Sequence, residues 1–343
     1  RFLHAADGKM DDLLVCVPLP GKNRYRMSMF APPELLRRPQ QEEVAHGLVT
    51  DGPKPTLAHI QAVVDRLAPA RTKIGNLRWS SLFGLSHRMV SRYSVGRAFL
   101  AGDAAHIHPP TGAQGMNTGV QDAYNLAWKL ALVVKGAAPA TLLDSYNAER
   151  LPVGQDVVGR THQQAEAQRR GEAETDRDRL MKDSQLLVNY RESRWVEEDL
   201  ATPDVLNNGP RPGDRAPDVV GLRREGIGFS LRLFDLLRGT AHVLLLYAGP
   251  VERDHIRLFG EIAASVQARV GEHIRSYVIV DANANPSAFG GLPVLHDADG
   301  AFRRIYDTAQ TSAYLIRPDG YIAYRAFPVR SDSLISYLEQ IFC

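Results

Sequence analysis

Residues 96–131 read GRAFLAGDAAHIHPPTGAQGMNTGVQDAYNLAWKLA, and this stretch decides the fold. Residues 97–101 predict a short buried strand, which ends at Gly102-Asp103. A loop rich in Pro and Gly follows, and then a long helix is predicted from about Met116 to the stop signal Gly136. The order strand, Gly-Asp, loop, helix indicates an α/β unit, whose strand ends commonly bind small ligands.

The same stretch contains groups suited to one polar, flat ligand. Asp103 only accepts hydrogen bonds when ionised, which suits sugar-type hydroxyl groups. Gly112, Gly115 and Gly119 allow the backbone to approach a flat ring closely. The helix start supplies free N–H groups and the positive end of the helix dipole, which stabilise negative charge. Farther along the helix, a single stripe collects apolar side chains: Val120, Tyr124, Ala127, Leu130, Ala131 and Val134.

The segment before this stretch predicts mainly strands. Residues 1–31 predict extended chain with a hairpin around Pro20-Gly21. Thr56 predicts the cap of a helix that Pro69 stops. Residues 76–85 and 89–93 predict further strands.

The segment after it predicts a second α/β region. Residues 154–200 are highly charged and predict a connecting helix with a solvated face. A boundary is predicted at the NNGPRPG sequence of residues 207–213. Beyond it, the chain predicts strands and helices in alternation, with one hairpin, which is typical of a small α/β domain with helices on both faces of a sheet. The predicted strands are 229–234, 242–247, 276–280, 313–316 and 321–324, and the predicted helices are 255–270 and 331–342.

Composition narrows the class of protein. The 343 residues include 41 basic and 39 acidic side chains, so the net charge of +2 gives no case for binding nucleic acid or an anionic membrane. Cys16 and Cys343 form neither a disulfide framework nor a metal-ligand cluster, which fits a reducing cytoplasm. No apolar run reaches the roughly 18 residues that a membrane span requires.

Three groups of motifs resemble one family. Residues 96–131, with LDSYNAERLP at 143–152, closely resemble the second FAD motif of single-component flavoprotein aromatic hydroxylases. The predicted hairpin at 17–26 is similar to part of that family's substrate-binding sheet. RPGDRAP at 211–217 and LIRPDG at 315–320 resemble the thioredoxin-like domain of its phenol-hydroxylase and polyketide-hydroxylase branches.

The resemblance implies a mixed α/β fold: the C-terminal part of a Rossmann-like FAD domain with a β-sheet substrate domain, plus a thioredoxin-like α/β domain. The implied boundaries are 1–95 for substrate binding, 96–160 for FAD binding, 161–209 for connecting helices and 210–343 for the thioredoxin-like domain. No Cys-x-x-Cys follows the apolar strand at 243–247, so dithiol redox chemistry is excluded and this domain would serve packing or assembly.

The resemblance also implies roles for particular residues. Asp103 would hold the ribityl chain of FAD, and Pro110 would lie beside the flavin ring, near the substrate. The flavin pyrimidine edge would meet Gly115, Met116 and Asn117. The complete set implied for cofactor binding is Gly102, Asp103, Pro110, Gly112, Gln114, Gly115, Met116 and Asn117.

No catalytic residue is assigned by the sequence. Pro110, His87 and Arg88 are candidates for the substrate cavity, although a surface position at a strand end is the favoured interpretation for His87 and Arg88. For His106, a structural hydrogen-bonding role is favoured over a chemical one.

The implied activity is an FAD- and NAD(P)H-dependent monooxygenase. Its cofactor FAD would be reduced by NADPH or NADH, and a flavin hydroperoxide formed with O2 would hydroxylate a phenolic or polycyclic aromatic substrate. The protein would be cytoplasmic, without metal, nucleic acid or membrane, and a homodimer is implied by resemblance only. Two alternatives stay open: a flavin monooxygenase acting on a non-aromatic or drug-like compound, and a non-catalytic fragment whose thioredoxin-like domain mediates assembly.

The sequence lacks two motifs of the family, one of which is the Asp-Gly motif that helps to bind both FAD and the reduced nicotinamide. It also contains no Gly-x-Gly-x-x-Gly turn for the FAD pyrophosphate, and it begins with Arg1. The expectation at this point is an N-terminal truncation, and a chain that by itself binds FAD weakly or not at all.

Overall fold

The computed structural model describes residues 2–4, 13–35, 47–49, 54–84, 86–108, 114–170, 183–201, 208–249, 253–282, 284–285, 289, 291–308 and 310–343. These residues form two compact units. The first comprises Arg1–Ser91, Gly102–Asn117 and Gly154–Asp183, and the second comprises Arg92–Ala101, Thr118–Val153 and Ser184–Cys343, each apart from the residues outside the described ranges.

The strands are β1 (Phe2–His4), β2 (Leu13–Pro18), β3 (Tyr25–Met29), β4 (Gly47–Val49), β5 (Leu82–Gly84), β6 (Arg88–Met89), β7 (Ser94–Val95), β8 (Ala98–Phe99), β9 (His106–Ile107), β10 (Glu197–Leu200), β11 (Leu222–Arg223), β12 (His242–Tyr247), β13 (Ile274–Asp281), β14 (Val294–Asp297), β15 (Ser312–Ile316) and β16 (Ile322–Phe327). The α-helices are α1 (Leu57–Leu67), α2 (Gly115–Val134), α3 (Asp144–Arg170), α4 (Leu233–Leu236), α5 (Arg253–Val270), α6 (Ala301–Ile305) and α7 (Ser331–Ile341).

The first unit contains an antiparallel sheet in the order β1-β2-β3. The predicted hairpin is confirmed: β2 pairs with β3, and the Leu19 N–H donates to the Arg24 carbonyl at 2.9 Å. The predicted helix is also confirmed as α1. Thr56 caps it by accepting the His59 backbone N–H, while the His59 ring accepts the Thr56 backbone N–H. A small core, with Leu14 of β2 among its members, joins α1 to the sheet.

The second unit is built on a seven-stranded sheet in the order β10-β16-β15-β12-β13-β14-β11. Strands β12, β13 and β14 run parallel, and β15 is antiparallel to both of its neighbours, β12 and β16. All six residues of β12 are buried, because both faces of the sheet are covered by apolar side chains. The predicted hairpin around residues 317–320 is confirmed as β15 and β16. The mixed α/β class is therefore confirmed.

One face of this sheet shares its core with α2. Trp128 and Leu132 of the helix lie in the same buried cluster as Leu244 and Leu246 of β12. Trp195 also belongs to that cluster. From Thr118 onward, α2 therefore belongs to the same unit as the C-terminal sheet.

Some local predictions differ from the structure. The strand predicted at 97–101 is reduced to β8, which pairs with the two-residue strand β7 and is mostly exposed, because no longer strand pairs with it in the described part of the chain. The strand predicted at 229–234 is only an isolated bridge at Leu231 followed by α4, since the Arg232 backbone N–H is bound by the Asp235 carboxylate and starts a helical turn.

Two other segments also differ. Residues 76–81 have no strand pairing and only 82–84 form β5. Strand β10 lies within the segment predicted as connecting helices and pairs in parallel with β16. The domain boundaries given above stay a prediction. In the described part of the chain, none of the helices combines the length and apolar character that a membrane crossing requires.

Candidate cofactor-binding site

The Gly-Asp pair forms a tight turn after β8. Gly102 has φ +59°, a conformation that side chains disfavour, and it opens a 3-10 helix over Gly102–Ala104. The Ala105 N–H donates to the Gly102 carbonyl at 2.8 Å and closes this turn. Asp103 is exposed on it, so its carboxylate is open to a ligand hydroxyl.

A short strand pair places Arg88 beside the loop that follows Asp103. Strand β6 pairs with β9, so that Arg88 lies opposite Ile107. The Val90 N–H extends the ladder by donating to the Ala105 carbonyl at 2.9 Å. His87 and Arg88 are both exposed, which agrees with their favoured surface interpretation. Their role as substrate-cavity residues stays a prediction.

Two histidines lie between the Gly-Asp turn and the helix start. His106 is buried, and its ring stacks on the His108 ring with centroids 6.5 Å apart. A Cβ atom built on Gly115 would lie 3.2 Å from the His108 Nε2 atom, closer than an ordinary contact. Gly115 therefore leaves room for a close approach, and in this structure the group that approaches it is the imidazole of His108.

The start of α2 lies next to the loop that follows Asp103. The helix begins at Gly115 and has no acidic side chain in its first turn. Met116 is 78% exposed and Asn117 is exposed as well. The Gln114 side chain is buried, and its amide donates to the Asp183 carboxylate, so its part in cofactor binding stays a prediction. Pro110 and Gly112 lie outside the described residues.

These residues fit one end of FAD. The exposed carboxylate of Asp103 suits a ribityl hydroxyl, and a helix start without an acidic side chain in its first turn suits the electron-rich pyrimidine edge of a flavin. Both belong to the first compact unit. The fit covers the ribityl and ring end of the cofactor, because the sequence has no glycine-rich loop of the Gly-x-Gly-x-x-Gly pattern for the phosphates.

Helix α2 buries its polar face and exposes its apolar stripe. Val120, Tyr124 and Val134 are 62%, 47% and 82% exposed, whereas Thr118 and Asp122 are fully buried. Buried polar groups need partners, so this arrangement is stable only where those groups are paired. The second unit supplies the partners in two clusters.

The first cluster surrounds Arg150 of α3. Its Nε atom donates to Asp122 at 2.7 Å, its Nη1 atom donates to the Tyr190 hydroxyl at 2.9 Å, and its Nη2 atom donates to the Thr118 carbonyl at 3.2 Å. Burial favours the neutral form of Arg150, but Tyr190 and Asp122 outweigh burial and raise its pKa above the usual value. The guanidinium is thus a fixed positive charge.

The second cluster surrounds Glu149, the neighbour of Arg150 on α3. Its Oε1 atom accepts from Arg317 Nη1 and from Ser193 Oγ, each at 2.8 Å. Its Oε2 atom accepts from Arg317 Nη2 at 2.9 Å, and from Lys129 Nζ and Asn125 Nδ2 at 2.8 Å. Burial would raise the pKa of Glu149, but Arg317 and Lys129 hold it well below its usual range. Burial lowers the pKa of Lys129 to about 8, against the attraction of Glu149.

The sequence analysis missed both clusters. Asp122, Asn125 and Lys129 recur at helical spacing along one side of α2, and the pair Glu149-Arg150 follows one helix later. A polar stripe of this kind opposite an apolar one normally indicates a solvated face. The signal that distinguishes the two situations is the presence of buried partners on other elements, which a single sequence does not reveal.

A segment of the chain that includes α2 matches a known protein family. Residues 31–161 match the family model described as FAD binding domain. The chain is 33% identical over 339 residues to a flavin-dependent monooxygenase of Mycobacteroides abscessus, and the match covers 98% of this chain and 56% of that protein. It is 34% identical over 280 residues to a pentachlorophenol 4-monooxygenase of Sphingobium chlorophenolicum, covering 76% of this chain and 48% of that protein.

A solved structure agrees with these relatives. The crystal structure of CabE, an aromatic hydroxylase from angucycline biosynthesis, superposes with a TM-score of 0.62 at 27% identity, covering 97% of this chain and 60% of that one. The predicted resemblance to flavoprotein aromatic hydroxylases is confirmed: residues 31–161 match the FAD binding domain model, and the chain is similar to proteins named as flavin-dependent, phenol and aromatic monooxygenases. The thioredoxin-like domain stays a prediction. The chain spans about half the length of the curated relatives it matches.

Proposed function

We propose that this chain contributes the ribityl and ring end of the FAD site in a monooxygenase that hydroxylates phenolic or polycyclic aromatic compounds. The observation that carries the proposal is the exposed Asp103 turn, which belongs to the same compact unit as the first turn of α2, with its exposed Met116 and Asn117 side chains. The relatives named above act as flavin-dependent or pentachlorophenol monooxygenases, which supports the class of substrate.

Each of this chain's residues would have a limited task. Asp103 would accept a hydrogen bond from a ribityl hydroxyl and so orient the chain that leads to the ring. The first-turn N–H groups at Met116 and Asn117 would stabilise negative charge on the pyrimidine edge. Exposed Arg88, beside the loop after Asp103, would attract an acidic or phenolate group of the substrate.

Bound FAD would supply the redox chemistry. With NADPH or NADH as the electron donor, one oxygen atom of O2 is inserted into an aromatic C–H bond and the other leaves as water, while NAD(P)H and one proton are consumed. The protein's contribution is to orient the two rings and to exclude water from the reacting atoms.

Flavin titration tests the binding part of the proposal. If the chain recognises the ribityl and ring end alone, riboflavin and FAD should bind weakly, with affinities within about threefold of each other. Asp103→Ala should weaken both flavins by roughly tenfold or more, as loss of a hydrogen bond to a charged group does. The matched control is Glu34→Ala, which removes one exposed negative charge from the same unit and should leave both affinities unchanged.

Several results would overturn this assignment. Sub-micromolar FAD binding with riboflavin at least a hundredfold weaker would show that the phosphates are recognised by this chain. An unchanged affinity of the Asp103→Ala variant would show that this carboxylate takes no part in flavin binding. Absence of binding of either flavin would show that this chain forms no flavin site by itself.

The catalytic part is tested by NAD(P)H oxidation that depends on a phenol or polycyclic aromatic compound, with a product that has gained one oxygen atom. Dependence on non-aromatic compounds alone would contradict the proposed substrate class.

A further inference from the structure

The turn between β15 and β16 is tied to α2 through buried charges. Arg317 begins this turn, and its backbone N–H donates to the Tyr321 carbonyl at 2.8 Å. Its side chain is 3% exposed and lies against the rings of Trp128, Tyr190 and Tyr321 at 5.2, 5.1 and 5.7 Å from their centroids. The guanidinium therefore packs against aromatic rings in addition to its hydrogen bonds.

Asp319, on the same turn, completes the link to the helix. Its Oδ1 atom accepts from Arg317 Nε at 2.9 Å. Its Oδ2 atom accepts from the indole N–H of Trp128 at 3.1 Å and from the amide of Asn125 at 3.2 Å. Trp128 and Asn125 are both on α2, so Asp319 binds the helix directly while Arg317 holds Asp319 in place.

The charges of this cluster balance. Lys129 and Arg317 contribute two positive charges, and Glu149 and Asp319 contribute two negative ones, all with side chains at most 4% exposed. Removing one member of such a set leaves an unpaired buried charge, which is far more costly than removing a balanced pair. The α2 face that binds this cluster is therefore held in one position by groups that lie almost two hundred residues farther along the chain.

We propose that Arg317 is a positioning residue for the flavin-motif helix: it fixes Glu149 and Asp319, which together hold the Asn125, Trp128 and Lys129 side chains of α2. Asn125, Trp128 and Lys129 lie in the part of α2 that belongs to the second unit, as do Glu149, Arg317 and Asp319, so the whole link is internal to that unit. This inference rests on the proposed function, because it assumes that α2 takes part in binding FAD. It gives the turn between β15 and β16 a direct task in holding the helix that carries the flavin motif.

Hydrogen exchange of the flavin-free chain at pH 7 provides the test. In Arg317→Met, amides of α2 should exchange about tenfold or more faster than in the wild type, while amides of β12 and β13 keep their protection. The double variant Arg317→Met/Glu149→Gln restores a neutral cluster, so its α2 exchange should return to within about threefold of the wild type. Arg257→Met, which removes an exposed arginine of α5, is the matched control and should change nothing.

Three outcomes would overturn the inference. Exchange in Arg317→Met that matches Arg257→Met would show that Arg317 does not hold the helix. Equal acceleration in α2 and in the central strands would indicate general loss of stability. If the α2 amides of the double variant exchange faster than those of Arg317→Met, Arg317 does not act through Glu149. If Arg317→Met does not fold, Arg317→Lys decides: it keeps the charge without the paired bonds, and should give α2 amides intermediate rates.

The test separates this inference from the proposed function. Exchange rates of α2 require no flavin, so failure of the titrations above would leave the positioning result standing. In the opposite case, flavin binding that depends on Asp103 but not on Arg317 would refute the positioning role alone.

Discussion

Arg317 binds both carboxylate oxygens of Glu149, at 2.8 Å from Nη1 to Oε1 and 2.9 Å from Nη2 to Oε2, across 168 positions of the sequence. Paired bonds of this kind fix orientation as well as distance. The contact joins the turn after β15 to α3, and through Lys129 to α2, within one compact unit. A helix whose sequence carries a cofactor motif is thus stabilised by the region predicted to be a separate domain.

Because α2 exposes its apolar stripe, we expect two nearby apolar side chains to differ strongly in their contribution to the free energy of unfolding. Leu132 is 7% exposed in the core against the sheet, and Val134 is 82% exposed. Leu132→Ala should lower the free energy of unfolding by roughly 2–5 kcal/mol, whereas Val134→Ala should change it by no more than about 0.5 kcal/mol. Chemical denaturation of both variants measures the difference. Equal losses would mean that the stripe containing Val134 is buried.

A side chain at position 213 would clash with the neighbouring backbone, and Gly226 serves as a control for the strain of a positive φ alone. A Cβ atom at Gly213 would lie 2.4 Å from the Arg191 backbone nitrogen, and φ is +88°. Gly226 has a similar φ of +78° with nothing near its Cβ position. Gly226→Ala should therefore cost roughly 1 kcal/mol from the strained conformation alone, and Gly213→Ala clearly more. Thermal unfolding of the two variants side by side is the measurement, and equal shifts in Tm would refute the close contact.

Tyr190 is expected to stabilise the fold through its hydroxyl group. That group accepts from the Arg150 guanidinium at 2.9 Å, and both side chains are buried. Tyr190→Phe keeps the ring but leaves a buried charged donor without this acceptor, so the free energy of unfolding should fall by roughly 1.5–3 kcal/mol. Tyr25→Phe, at an exposed tyrosine of β3, is the control and should be neutral. Urea denaturation distinguishes them, and a neutral Tyr190→Phe would contradict the contact.

Local signals in the sequence were sufficient for much of the fold. The Thr56 cap, the Pro20-Gly21 hairpin, the apolar strand β12 and the length of α2 follow from short-range rules of capping, turns and periodicity. The mixed α/β class follows from their order. These features depend on neighbours in sequence, so one chain is enough to predict them.

The orientation of α2 depends on distant residues and escaped prediction. Its apolar stripe would normally face a core, yet Asp122 and Lys129 are the residues that are buried. Asp122 pairs with Arg150, 28 positions away. Lys129 pairs with Glu149, 20 positions away, and Glu149 in turn binds Arg317, 168 positions farther along the chain. In the same way, the turn at Asp103 could be predicted from its motif. The close approach of His108 to Gly115 could not, because it depends on how the loop between them folds.

His242 predicts that acid destabilises the protein over a defined pH range. Its ring is buried between Trp128 and Phe342, at 5.2 and 5.3 Å between centroids, and burial lowers its pKa to about 3. An unfolded chain has a histidine pKa near about 6.5, so between pH 6.5 and 3 the unfolded state binds a proton that the folded state does not. The free energy of unfolding should therefore decrease as pH falls through this range, by roughly 3–5 kcal/mol in total.

The variant His242→Phe keeps an aromatic ring in the same position and cannot bind that proton. Its free energy of unfolding, measured by urea denaturation from pH 7 to pH 4, should decrease less steeply than that of the wild type, because one source of proton uptake is absent. Between pH 7 and pH 7.5 the two proteins should show the same pH dependence, since His242 is neutral there in both the folded and most of the unfolded chains. Parallel curves down to pH 4 would show that His242 titrates normally and is open to water, and the packing of Trp128 against it would then be wrong.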